Sequence, residues 1–224
     1  MGEKIELTAS DGTTIGGYKA VPQGTAKAGV VVIQEIFGVN HQIRSVCDRF
    51  AAEGYLAVAP AMQDRWRPGF ETDDYSPESF ATAREFFGAF NPDQAMLDVE
   101  AAVKIAAEAG KVGITGYCFG GMVTWRAAHA GMGLSAGSGY YGGGVPNYID
   151  LVPSIPIEMH FGDRDTGIPV EQVEELRARY PDVPVYLYPA GHGFFNDERE
   201  QSYDAESAKK AWERTLVFFS QHLS

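Results

Sequence analysis

Short apolar runs rich in β-branched residues alternate along the chain with stretches whose apolar positions recur every three to four residues. The first pattern predicts strands and the second amphipathic helices. Residues 4–8 (KIELT) and 14–21 (TIGGYKAV) flank the turn signal Asp11-Gly12 and are expected to form a hairpin. The apolar run 28–34 (AGVVVIQ) reads as a strand buried on both faces. Ile43, Val46, Phe50 and Ala51 fall on one stripe of a helix over 42–53, which Gly54 ends. Further strands are expected at 55–61, 111–117, 134–141, 155–161 and 184–189, and further helices at 78–88, 93–109, 119–130, 169–180 and 204–221. Residues 62–77 are polar and aperiodic, and read as an irregular loop and candidate lid. Strands alternating with helices imply an α/β fold, with a mostly parallel sheet covered on both faces and the hairpin as an antiparallel edge. No linker interrupts the pattern, so residues 1–224 read as a single domain.

Composition then removes several classes of function. Acidic residues number 30 against 18 basic ones, a formal charge of −12, and no basic cluster offsets this, which sets nucleic-acid binding aside. No apolar stretch approaches the length of a membrane span, and the opening segment MGEKIELTASDG has no apolar core, so neither a membrane partner nor a signal peptide is expected. The two cysteines, Cys47 and Cys118, lack metal-ligand spacing, and no dinucleotide motif occurs. A soluble cytoplasmic protein without metal or organic cofactor is the expectation.

Gly116-Tyr117-Cys118-Phe119-Gly120-Gly121 carries the sharpest chemical signal. It lies between a buried strand and a helix and matches the nucleophile-elbow pattern, with Cys where Ser usually stands. The turn is too tight for side chains at the flanking glycines 116 and 120, and it puts Cys118 at a helix N-terminus, where partial positive charge favours thiolate. A Gly-rich turn around a structural cysteine is the plainer alternative.

In hydrolases of this plan the chain order is nucleophile, acid, histidine, each after a strand. Strand 155–161 leads to Gly162-Asp163-Arg164-Asp165, and strand 184–189 leads to Ala190-Gly191-His192. His192 is the candidate base, and Asp163 and Asp165 compete to orient it. His41, His129 and His222 have no such placement, and His160 inside a strand reads as a satisfied core residue. Glu35, at the end of an apolar strand, reads as a functional carboxylate. The backbone N–H groups of Ile36 and Phe119 are the candidate oxyanion donors.

The segments Gln34-Glu35-Ile36-Phe37-Gly38-Val39-Asn40, Gly113–Gly121, Tyr140-Tyr141-Gly142, Gly162–Pro169 and Ala190-Gly191-His192 together resemble the dienelactone hydrolase (carboxymethylenebutenolidase) family of α/β-hydrolases. The resemblance implies that fold, with about seven or eight strands in a mostly parallel central sheet. It also implies a Cys-His-Asp triad, a small-molecule ester or lactone substrate and a monomer. The spacing Gly-x-x-Asp-x-x-x-Pro selects Asp165, and Glu35 matches a family glutamate that helps deprotonate the thiol when substrate enters. Two arginines that hold a substrate carboxylate in such enzymes have no counterpart here: their positions fall near Phe80 or Ala81 and at Asn196. Arg84, Arg65 and Arg67 are the candidate replacements. Phe37, Trp66, Phe80, Tyr140, Tyr141 and Phe194 are candidate aromatic walls of the substrate site, whereas Phe87 reads as core. The function expected is lactone or ester hydrolysis through an acyl-enzyme on Cys118. The alternatives are a short-chain carboxylesterase or thioesterase and, outside enzymes, a thiol redox sensor.

Overall fold

The computed structural model describes residues 2–224. The strands and helices group into two compact units, one reaching to Val112 and the other spanning Gly113–Ser224.

In the first unit, β1 (Glu3–Thr8) and β2 (Thr14–Ala20) form the expected antiparallel hairpin, with Thr8 opposite Thr14. Asp11 closes its turn by accepting the Thr13 N–H at 3.0 Å. β2 runs antiparallel to β4 (Leu56–Pro60), which runs parallel to β3 (Gly29–Ile33), so the strand order is β1-β2-β4-β3. Every residue of β3 and β4 is buried, as their unbroken apolar runs require of strands covered on both faces. Against both pack α1 (His41–Ala52) and a later helix that begins at Pro92. The α1 stripe buries Ile43, Val46 and Phe50, worth about 1.5–3 kcal/mol for each side chain. Asn40 caps the helix by accepting the Ile43 N–H at 3.3 Å.

Two segments of this unit differ from expectation. The single helix expected at 78–88 is divided into α2 (Pro77–Arg84) and α3 (Phe86–Ala89). Around the break the backbone bonds tighten to a three-residue spacing, from Glu85 N–H to Thr82 O and from Gly88 N–H to Glu85 O. Segment 62–77 opens with a 3₁₀ turn, Met62–Arg65, before the irregular stretch that ends at the α2 cap Ser76. The next helix, α4, covers Pro92–Ala106.

The second unit contains β5 (Val112–Tyr117), α5 (Phe119–Ala130), β6 (Leu134–Tyr140), β7 (Ile157–Gly162), α6 (Val170–Arg179), β8 (Val185–Tyr188) and α7 (Ala205–His222). Its strand order is β5-β6-β7-β8. β6, β7 and β8 are parallel, and the register places Tyr140 beside His160 and His160 beside Tyr186. β7 begins at Ile157, later than expected, because Pro156 has no N–H to pair. The segments carrying Cys118, Asp165 and His192 all leave C-terminal strand ends, where open α/β sheets bind ligands.

Candidate active site

Cys118 joins β5 to α5 in a conformation that side chains rarely adopt, with φ 55° and ψ −111°. Such a residue costs roughly 1–3 kcal/mol of strain and persists only where its surroundings fix it. Here the Cys118 N–H donates to Tyr140 O at 3.0 Å, and the Gly121 N–H donates back to Cys118 O at 3.0 Å. A side chain at Gly116 would place its Cβ 2.1 Å from Gly120 O, and one at Gly121 would lie 2.5 Å from Tyr140 O. The need for glycine at 116 was readable in the sequence, whereas that at 121 comes from the β6 backbone and was missed. Cys118 is partly exposed at the N-terminus of α5.

Of the two aspartates, Asp165 is the one that reaches His192. Its side chain is 0% exposed, and its Oδ2 lies 2.7 Å from His192 Nδ1. Its Oδ1 accepts the N–H groups of Gly167 at 2.8 Å and Ile168 at 3.2 Å, which fixes the carboxylate in place. Asp163 instead points to solvent beside Arg164. His192 is half-buried and also hydrogen-bonds Cys118. Burial alone would lower its pKa. The charge interaction with Cys118 and the hydrogen bond to Asp165 overcome this and push it up to about 11. Cys118, His192 and Asp165 therefore form one connected chain.

The dienelactone hydrolase family model matches residues 15–223. The chain belongs to this family. It is 36% identical over 230 residues to a "Putative carboxymethylenebutenolidase" of Synechocystis sp., covering 93% of this chain and 92% of that one. It superimposes on the crystal structure of a "Putative Dienelactone Hydrolase" from Klebsiella pneumoniae with a TM-score of 0.83 and 31% identity, over 99% of this chain and 100% of the other. An esterase of Pyrococcus furiosus shares the fold at a TM-score of 0.71 and 16% identity, over 100% and 93% of the two chains. This dienelactone hydrolase family protein thus has the mostly parallel α/β-hydrolase fold and is a hydrolase of lactone or ester bonds. Among the described residues, no helix is long and apolar enough to cross a membrane.

Several candidate substrate contacts have other roles. Tyr140 is a core residue: it is buried, stacks on His160 at 4.5 Å and bonds Thr215 Oγ1 through its hydroxyl at 2.7 Å. Arg65 is committed to structure, because Asp98 takes its guanidinium through both carboxylate oxygens at 2.8–3.0 Å and Asp11 takes it at 2.8 Å. Phe194 is fully buried. The expectation for Phe87 fails in the opposite sense: it is 51% exposed, and Phe86 is the buried neighbour. His160 is the satisfied core residue expected.

The remaining candidates are placed as follows in their own units. In the first unit Glu35 and Ile36 are buried at the end of β3. The Ile36 carbonyl is held by Gln63 Nε2 at 2.5 Å. Phe37 meets Phe80 and Tyr75 edge-on at 4.8 and 4.9 Å, the exposed Arg84 guanidinium lies 6.0 Å from the Phe80 ring, and Trp66 packs on Phe70 at 5.2 Å. Phe119 is the first residue of α5. In the second unit Tyr141 lies 5.1 Å from the His192 ring, a close partner that the Tyr140-Tyr141 doublet hinted at.

Proposed function

We propose that this protein cleaves an ester or lactone through a thioester on Cys118. The reading is carried by His192, bonded on one side to Asp165 and on the other to Cys118. In the acylation step the Cys118 thiolate adds to the substrate carbonyl, and the charge passes to the carbonyl oxygen. The N–H of Phe119 at the start of α5 receives this oxyanion; the sequence pattern names the Ile36 N–H as its second donor. Collapse expels the alkoxide or enolate, which takes the proton of the His192 imidazolium. In a lactone this leaving group stays tethered to the acyl chain. Neutral His192 then removes a proton from water, the resulting hydroxide adds to the thioester, and collapse restores the thiolate–imidazolium pair and releases the acid. Asp165 holds the imidazole in one tautomer throughout. The resemblance gives Glu35 a part in deprotonating the thiol. Phe37, Trp66 and Arg84 are the candidate substrate contacts that the sequence named.

A short neutral ester or thioester is the second reading of the substrate. It is favoured by Asn196, which stands at a family carboxylate-binding position but is buried, with its Oδ1 accepting the Glu198 N–H at 3.1 Å. A hydrolysis panel separates the two: a dienelactone bearing a carboxylate, a neutral lactone of similar size and a short aryl ester, each with a Cys118→Ala control. Cys118-dependent turnover in any of them supports the mechanism, and the order of kcat/KM names the substrate class. Full activity in Cys118→Ala overturns it.

A further inference from the structure

Below the elbow lies a polar chain that the reaction does not use. His160 is 0% exposed, with Nε2 3.0 Å from Glu158 Oε1 and Nδ1 2.8 Å from the Tyr188 hydroxyl. The same Glu158 oxygen accepts the hydroxyls of Ser138 at 3.0 Å and Thr215 at 3.1 Å. At the outer end Arg214 Nη1 donates to the Tyr188 oxygen at 2.9 Å. Burial pushes the Tyr188 hydroxyl up to about 12, against the opposing pull of Arg214, so it is a proton donor at neutral pH. One arrangement satisfies every group: Arg214 donates to Tyr188, Tyr188 donates to His160 Nδ1, and the His160 Nε2–H donates to Glu158. The two ends of the chain are a solvated guanidinium and a sealed carboxylate.

We propose that the Glu158–His160–Tyr188 chain is a positioning device for the catalytic triad, fastening β7 and β8, which lead to Asp165 and His192, to β6, whose last carbonyl holds the Cys118 N–H. Ser138 belongs to β6, Glu158 and His160 to β7, and Tyr188 to β8. Two residues beyond Ser138, the Tyr140 carbonyl accepts the Cys118 N–H; the His160 carbonyl accepts the Tyr141 N–H at 2.7 Å, and Tyr141 lies against His192. β7 leads within a few residues to Asp165, and β8 leads to His192. The buried carboxylate–imidazole pair itself offsets little more than its own desolvation, so its net contribution to stability is small. What the polar chain adds is direction: each bond fixes a strand end along one axis, as a preorganised site requires. The proposal rests on the Cys118 mechanism above.

The test compares Tyr188→Phe, Glu158→Gln and the paired apolar variant Glu158→Met/His160→Phe with wild type and Cys118→Ala, on a short aryl ester. The paired variant, which also lowers the melting temperature by stranding the Ser138, Thr215 and Tyr188 hydroxyls, is expected to keep its KM and to lose about 10- to 100-fold in kcat, the scale of a slightly misplaced catalytic group. Tyr188→Phe, which removes one hydroxyl and folds whatever the pair does, loses kcat in the same direction by a smaller factor. Glu158→Gln, which keeps the shape and an acceptor oxygen, recovers most of the kcat that the paired variant loses. Wild-type kcat in Tyr188→Phe, or in a folded paired variant, with Cys118→Ala inactive, overturns this proposal alone. Full activity in Cys118→Ala overturns it together with the mechanism.

Discussion

His192 Nδ1 stands 2.7 Å from Asp165 Oδ2, and Asp165 has no solvent-exposed side-chain surface. A bond of that length to a sealed carboxylate fixes the ring nitrogen that carries the proton and leaves the other for Cys118. Asp165→Asn keeps the shape and loses the charge. Its kcat is expected to fall by about 10³- to 10⁴-fold with little change in KM, as when a triad carboxylate is replaced by its amide. Asp163→Asn, on the exposed side of the same loop, leaves both parameters unchanged. Steady-state kinetics of the two variants checks the assignment.

The charge on Cys118 and the bond to Asp165 hold His192 as imidazolium up to about 11, against the lowering effect of burial. Because this folded value lies above the ordinary 6.5, the imidazolium's contribution to stability is complete below pH 6.5 and is lost as the pH rises through about 11. NMR titration of labelled histidine is expected to show an imidazolium at pH 8 that loses its proton only in the alkaline range. In Cys118→Ala, without that charge interaction, the midpoint falls. A wild-type midpoint near the ordinary value contradicts the coupling of His192 to Cys118 and Asp165.

Arg65 is 12% exposed and Asp98 is 0% exposed, so removing the arginine strands a buried charge. Arg65→Leu is expected to lower the unfolding free energy by about 3–5 kcal/mol. The folded fraction retains its KM for a carboxylate-bearing substrate, which denaturant melts and kinetics on one preparation would establish together. A raised KM without loss of stability would return Arg65 to the substrate site.

Gly121→Ala brings a Cβ within 2.5 Å of the Tyr140 carbonyl, the acceptor of the Cys118 N–H. Overpacking of this kind costs about 1–3 kcal/mol. Since the displaced backbone belongs to the elbow itself, kcat is expected to fall along with the melting temperature. Gly88→Ala, where a Cβ meets nothing within 4 Å, is the control and changes neither.

The parts of the fold written in local patterns were legible before the structure. The α5 helix, the β1–β2 hairpin and the buried β3 and β4 follow from periodicity, caps and a turn signal, each contained in a few neighbouring residues. So does the placement of Cys118, Asp165 and His192 after the strands β5, β7 and β8. Long-range pairing was not legible. Arg65 looked like a loop cation because its partners Asp98 and Asp11 lie 33 and 54 residues away. Phe87 is exposed where core was expected because the helix breaks at Glu85, which resets the face it presents. Tyr140 ends its strand, and only the register with His160 decides that its ring joins the core.

Rapid quenching with a short aryl ester, followed by peptide mass spectrometry, tests the central claim most directly. The account predicts one acyl group on the peptide containing Cys118, formed in a burst and hydrolysed at the turnover rate, and no such adduct or turnover in Cys118→Ala. An acyl group on another residue, or undiminished turnover in Cys118→Ala, would contradict it.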